Sequence, residues 1–362
     1  MAIMKPQLST GKKLIFSAVM TVLVLATING VVVLREKQKY GVTAQQKESM
    51  YQTTQTGRRV LKAGSTMQGS DTKVNINSMG FRGPELKNPK PKNGFRIWAI
   101  GGSTTFDVFA PDDANTWPAL LGAELAKRHP DRVVEVINAG IPGEVIAGNL
   151  QDLKQHAAAA QPDLLVYYHG PNDLRDLRFG GPPPPSGALE QQFALLRAAR
   201  GAVNQRYPTL PNEWNDVRLS SHDLNEMTRR IDQVLNNAKQ MNIPVMMTSH
   251  AYQHTPGKTG REAIREVGEI CVLMQMGPDN VVHMFRDYNN LVKGIAERRG
   301  LPFADVQAAI PSDSQYWGDA LHFKVEGSRL AAMAMVKAAE IAGNLQPQPA
   351  KPNNEPTQLG NP

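Results

Sequence analysis

Four short polar stretches carry the side chains whose types could do covalent chemistry. They are Gly101-Gly102-Ser103-Thr104-Thr105, Asn138-Ala139-Gly140, Gly170-Pro171-Asn172-Asp173 and Asp319-Ala320-Leu321-His322. A serine hydroxyl is a weak nucleophile at its free pKa and needs a base. A histidine can take that proton and later give it to a leaving group. An aspartate one helical turn away can hold the other ring nitrogen and fix the tautomer. Backbone N–H groups and an asparagine amide can stabilise a developing oxyanion. Each stretch alone also has an ordinary reading. A Gly-Ser turn is commonly a tight turn or a phosphate cradle, Gly-x-Asn-Asp a turn, and Asp-x-x-His surface polarity or a helix cap.

The elements that must position these residues set the stretches apart from background. Residues 95–101 (FRIWAIG), 132–139, 163–168, 244–248 and 301–306 are short apolar or β-branched runs and read as strands. Between them, apolar residues recur at helical spacing over 114–129, 145–160, 224–241 and 279–299, and a last helix is expected over 325–342. Strands separated by helices pair in parallel through right-handed crossovers. The expected architecture is a three-layer α/β/α sandwich with about five parallel strands. In such folds ligands bind beyond the carboxyl ends of the strands, which is where the first three polar stretches fall. The fourth directly precedes the last helix.

In this order and placement, the four stretches resemble the blocks of the SGNH hydrolases, also called GDSL-type esterases and lipases. The resemblance spans about residues 93–342, and the upstream run Asn77-Ser78-Met79-Gly80-Phe81-Arg82-Gly83-Pro84-Glu85 is similar to the lead-in of bacterial envelope members. It implies a flavodoxin-like SGNH hydrolase fold. It places the catalytic groups on Ser103, Asp319 and His322, and the oxyanion donors on the Ser103 and Gly140 N–H groups and the Asn172 amide. One departure stands out: Gly102 occupies the position that usually holds aspartate. The implied activity is removal of acetyl or other short acyl groups, with an envelope carbohydrate as one substrate. The same serine could instead transfer acyl groups to polysaccharide hydroxyls, and a non-catalytic carbohydrate-binding or assembly protein is a third reading. The scheme requires no cofactor and no metal.

Other polar residues have weaker claims. His250 and His254 follow the fourth strand and could line a pocket rim, and Arg175 and Arg178 could meet an anionic substrate. Asp173 could orient the Asn172 loop. His169 is expected to pack beneath that loop and His283 to be structural.

Residues 14–34 hold no charge and as a helix would span about 31 Å, close to a bilayer's hydrocarbon core. No clean Ala-x-Ala site follows, so the segment reads as a single-pass inner-membrane anchor rather than a cleaved signal peptide. Three basic residues lie on each side (Lys5, Lys12, Lys13; Arg35, Lys37, Lys39), so flanking charge alone does not orient it. The family likeness places the catalytic domain in the periplasm. The organisation is then a cytoplasmic stub over 1–13, the membrane helix over 14–34, a polar stalk over 35–73 and a hydrolase-like domain over 74–345. A Pro-rich insertion falls at 179–214 and a disordered tail at 346–362.

Composition narrows the classes further. With 41% hydrophobic and 20% charged residues the chain is neither wholly disordered nor polytopic. Its single cysteine, Cys271, allows no internal disulfide and no cysteine-based metal site. A net charge of +7 without a dense basic run argues against nucleic acid as a partner. The partners left are a membrane and an acylated small molecule or polysaccharide.

Overall fold

The computed structural model of the chain describes residues 9–40, 47–180 and 210–345. The N-terminal helix α1 (Thr10–Tyr40) extends beyond the uncharged run at both ends. Its Thr10–Arg35 part is long and apolar enough to cross a membrane, and none of it is buried against the protein. Most of the expected stub and of the Pro-rich insertion, and all of the expected tail, lie outside the described residues.

The segment expected to be a polar stalk folds from Met50 onward. Strands β1 (Tyr51–Thr53) and β2 (Arg59–Leu61) form one antiparallel hairpin, and β3 (Thr66–Gln68) and β4 (Lys73–Asn75) form a second. Met50, Leu61, Met67, Val74 and Ile76 bury together against Phe106 and Ile141 of the main body. Strands of three residues bury about one side chain each, too few to make a period among polar neighbours, so the pattern reads as a stalk. The folded body therefore begins before residue 74.

The main sheet is five parallel strands in the order β6-β5-β7-β8-β9. These are β5 (Gly94–Gly101), β6 (Val133–Gly140), β7 (Leu164–Tyr168), β8 (Val245–Thr248) and β9 (Phe303–Ala304). Alternate residues face opposite layers, as the strand period requires. On one face, Trp98, Ile100, Leu165, Tyr167 and Met247 pack on helices α4 (Ile146–Ala160), α6 (Ser221–Gln240), α7 (Gly260–Met274) and α8 (Pro278–Arg299). On the other, Ile97, Ala99, Leu164, Val166 and Tyr168 pack on α3 (Trp117–Arg128), α9 (Val306–Ala309) and α10 (Val325–Ala342). The chain leaves β5 for β6 on one side and returns to β7 on the other. The crevice between β5 and β7 is thus the topological switch point, and the expected sandwich is the one observed.

Two short elements complete the site's frame: α2 (Ser103–Phe106), directly after β5, and α5 (Pro171–Phe179), directly after β7. Asp107, which ends α2, ties it to both helices of the second face. Its Oδ2 accepts from the Trp117 N–H at 2.8 Å and the Ser328 hydroxyl at 2.6 Å. Burial pushes the Asp107 carboxyl up to about 6, against those hydrogen bonds and the charge of Arg82. Because the folded state holds this proton more tightly than an unfolded chain would, the Asp107 contribution to stability falls as pH rises from about 4 to 6. Above that window the ionised group costs up to about 3 kcal/mol. The wild-type minus Asp107→Asn difference in unfolding free energy, followed by denaturant titration, should decline across this window and level off above it. A difference that rises with pH would contradict the assignment.

Candidate active site

The nucleophile candidate sits where β5 stops and α2 starts. Ser103 is the first helical residue, so its N–H has no carbonyl one turn back to bond. The far end of α2 is gripped by Arg82, from the Asn77–Glu85 lead-in. Its buried guanidinium donates to the carbonyls of Phe106, Asp107 and Ala110 at 2.9–3.1 Å and pairs with Asp113. This contact gives the lead-in motif a physical reason.

His322 approaches from the loop before α10, where a bridge between Trp317 and Phe323 closes a tight turn. Its Nε2 lies 2.8 Å from Ser103 Oγ, and its Nδ1 lies 2.8 Å from both oxygens of Asp319. A carboxylate only accepts, so Nδ1 carries the ring proton and Nε2 is left to accept the Ser103 O–H. Asp319 also accepts the backbone N–H groups of Leu321 and His322 at 2.8 and 2.9 Å. Burial alone would raise the Asp319 carboxyl, but the hydrogen bonds and charge from His322, with those two N–H groups, hold it below the usual carboxylate range. The arrangement can pass a proton from a serine to an imidazole whose opposite face is fixed by an anion.

Asn172 is the second residue of α5, and its Nδ2 donates to the Glu144 carbonyl at 2.9 Å. Asn172 also lines the cavity beside Ser103, and its Nδ2 has a second hydrogen beyond the one given to Glu144. The same Nδ2 explains the glycine before Ser103: a Cβ on Gly102 would lie 2.4 Å from it. Gly140 has a different surrounding from the one expected of an oxyanion donor. Its N–H is taken by Asn138 Oδ1 at 3.1 Å, and it does not line the cavity beside Ser103. What Gly140 does provide is space, because a Cβ there would lie 2.1 Å from the Phe106 nitrogen in α2.

A buried network joins the three strand ends. Asn149 Oδ1 accepts the Gly101 N–H and lies 2.8 Å from His169 Nε2, while Asn149 Nδ2 donates to the Ala139 carbonyl. His169 Nδ1 meets Asp173 Oδ2 at 2.9 Å, and Asp173 Oδ1 accepts the Ile146 N–H. Asp173, the neighbour of Asn172, is thereby tied to the start of α4 and to His169, directly after β7.

His250 lines the small cavity of about 20 Å³ that adjoins Ser103, together with Gly102, Thr104, Gly170, Asn172 and Leu321. It stacks on Tyr168 at 4.7 Å, with its Nε2 3.3 Å from Thr104 Oγ1. Burial lowers its pKa to about 3, and the neighbouring His322 and His169 act in the same direction, so it is an uncharged wall. Arg175 is placed elsewhere: its guanidinium covers the Phe179 ring, 5.1 Å from the centroid, and Arg178 does the same at 5.2 Å. Neither lines the cavity. His254 stacks on Tyr252 away from it, and His283 lies on α8. Sequence reasoning missed Asn149, Glu144, Thr104 and Arg58. Only Thr104 had a local signal, its adjacency to Ser103.

A family model described as GDSL-like lipase/acylhydrolase matches residues 99–330, well over half of the chain. No curated protein matches. Among solved structures, the chain is similar to the lipase/acylhydrolase from Enterococcus faecalis at 18% identity and TM-score 0.44, covering 71% of this chain and 100% of that one. It is also similar to a mutant of Axe2, an acetyl-xylooligosaccharide esterase from Geobacillus stearmophilus, at 17% identity and TM-score 0.42, covering 71% and 97%. A carbohydrate acetylesterase family member from Sinorhizobium meliloti matches at 14% identity and TM-score 0.40, covering 69% and 100%. By the family model the chain belongs to the GDSL-like lipase/acylhydrolase family and is a carboxylic ester hydrolase.

Proposed function

We propose that the protein removes acetyl or similarly short acyl groups from an alcohol, with Ser103 as nucleophile, His322 as general base and acid, and Asp319 as the group that orients His322. The observation that carries this reading is the 2.8 Å contact of Ser103 Oγ with an imidazole whose other nitrogen is held by a carboxylate. Ser103 Oγ attacks the ester carbonyl as its proton passes to His322 Nε2. The proton then goes to the departing alkoxide, leaving an acyl-serine. Water, deprotonated by the same nitrogen, attacks the acyl-serine, releases the carboxylic acid and returns the hydroxyl to Ser103. The Ser103 N–H and the free hydrogen of Asn172 Nδ2 are the donors best placed for the oxyanion. Gly140 contributes mainly by letting α2 pack close.

The size of the cavity supports a short acyl group. At about 20 Å³ the space beside Ser103 has room for roughly one water-sized group, which suits a methyl. The alcohol is inferred from location. A helix able to cross a membrane, followed by a folded body, suits an anchored enzyme acting outside the inner membrane on an envelope carbohydrate.

Three outcomes are expected. Ser103→Ala abolishes hydrolysis of a chromogenic acetyl ester and leaves the thermal melt nearly unchanged, while Asn172→Ala lowers kcat by about 10²–10³ with little change in KM. Full activity in Ser103→Ala would overturn the reading. Forcing extra methylenes into a packed site costs about 1–3 kcal/mol. Acetyl esters should therefore exceed butyryl esters by roughly 5- to 150-fold in kcat/KM, and a preference for the longer chain would rule out the short-acyl assignment. For topology, a C-terminal alkaline phosphatase fusion should be active and a cytoplasmic fluorescent reporter dark, and the reverse pattern would place the domain on the other side.

A further inference from the structure

We infer that Arg58, on the N-terminal hairpin outside the family-matched segment, is a positioning residue for Asn172, acting through the loop that carries Glu144. The inference rests on the proposed role of Asn172 as an oxyanion donor. Arg58 follows the turn between β1 and β2, where its N–H donates to Thr54 Oγ1 and its carbonyl accepts the Thr54 N–H. Its guanidinium makes a two-pronged pair with Asp152 on α4, at 2.7 and 2.6 Å, and its Nε donates to Glu144 Oε2 at 2.7 Å. All three side chains are nearly withdrawn from water, with relative exposures of 15%, 9% and 9%.

Glu144 is built into its place from several directions. Its Oε1 accepts the Val145 N–H at 3.1 Å, and its own N–H bonds the Ile141 carbonyl at 2.9 Å. A Cβ on Gly148 would lie 2.1 Å from Glu144 Oε1, so the first turn of α4 leaves room for this carboxylate. The Glu144 carbonyl is the acceptor of the Asn172 amide. One amide hydrogen of Asn172 is thereby fixed, and planarity fixes the direction of the other. Glu144 and Asp152 repel one another beside the same buried cation. Removing Arg58 would leave two buried carboxylates with no cation between them, which drives the loop, and the Glu144 carbonyl with it, out of register. A donor displaced from the oxyanion loses transition-state stabilisation rather than ground-state binding.

The test is a double-mutant cycle on the full chain in detergent, measured on a soluble acetyl ester. Arg58→Gln should lower kcat by about 10–10²-fold and leave KM nearly unchanged, below the loss from deleting the donor itself. Combined with Asn172→Ala, it should lower kcat no further than Asn172→Ala alone, within about 3-fold. Arg58→Lys keeps the charge without the fork and should recover part of the rate. If Arg58→Gln shows no cooperative melt, the same cycle is run with Arg58→Lys and judged by the same two outcomes. Losses that multiply in the double variant, or an unchanged kcat in the single one, would overturn the inference, because a purely structural residue acts independently of Asn172. Wild-type kcat in Asn172→Ala alone would instead overturn the oxyanion reading, and this inference with it.

Discussion

Parallel strands that converge on a site must stop pairing there, and their last backbone groups then need partners within a buried space. Unmet, each such group costs about 1–3 kcal/mol. Asn149 meets this requirement for two neighbouring strands at once, accepting from Gly101 at the end of β5 and donating to Ala139 near the end of β6. Through His169 and Asp173 it also reaches the turn after β7. Ser103 and the asparagine of α5 follow these strand ends, and Gly140, which makes room for the helix of Ser103, is the last residue of β6. Their mutual placement depends on one fully buried amide and the imidazole–carboxylate pair beside it.

The close fit that results leaves little freedom in residue size. Gly102 lies against the Asn172 amide, and Gly140 lies against the backbone of α2. An aspartate at position 102, as the family name suggests, would meet the amide of Asn172 as that amide is placed here. The Gly-Gly-Ser form is therefore a matter of packing between the turns that carry Ser103 and Asn172, and it leaves the Ser103–His322–Asp319 contacts intact.

The strands, most of the helices and the four polar stretches were legible because each rests on local pattern: an apolar run, a helical stripe, or a polar residue at a strand end. Helix α7 also had such a stripe, in Ala263, Val267, Ile270 and Met274, all buried. It went unread because Gly and Thr clusters precede it and the runs on either side are polar. The hairpins were illegible for a different reason. Their stability comes from single buried residues meeting Phe106 and Ile141 across long stretches of sequence, and three-residue strands carry no period. Arg58, Glu144 and Asn149 are likewise defined only by what they touch, since 86 residues separate the first pair and nothing near Asn149 marks it as special. Arg175 shows the opposite failure. Its charge and its nearness to Asn172 in sequence suggested a substrate contact, yet a helix turns it onto Phe179 instead.

Charge has been drawn inside this fold around one four-residue helix. Arg82 grips the carboxyl end of α2, Asp107 caps it against α3 and α10, and Arg58 bears on the loop facing its amino end. Such buried charges are poor sources of stability, because desolvation consumes most of what pairing returns and apolar residues of the same size often do as well or better. The Asp107 carboxyl, pushed up to about 6, is itself a sign of that cost. Hydrophobic contacts could hold α2 in the body, but they are non-directional. A guanidinium bonded to three carbonyls, or a carboxylate bonded to an N–H and a hydroxyl, fixes position and rotation together. A 2.8 Å contact between a serine on a short helix and a histidine on a distant loop needs that kind of constraint, and the charged frame around α2 supplies it.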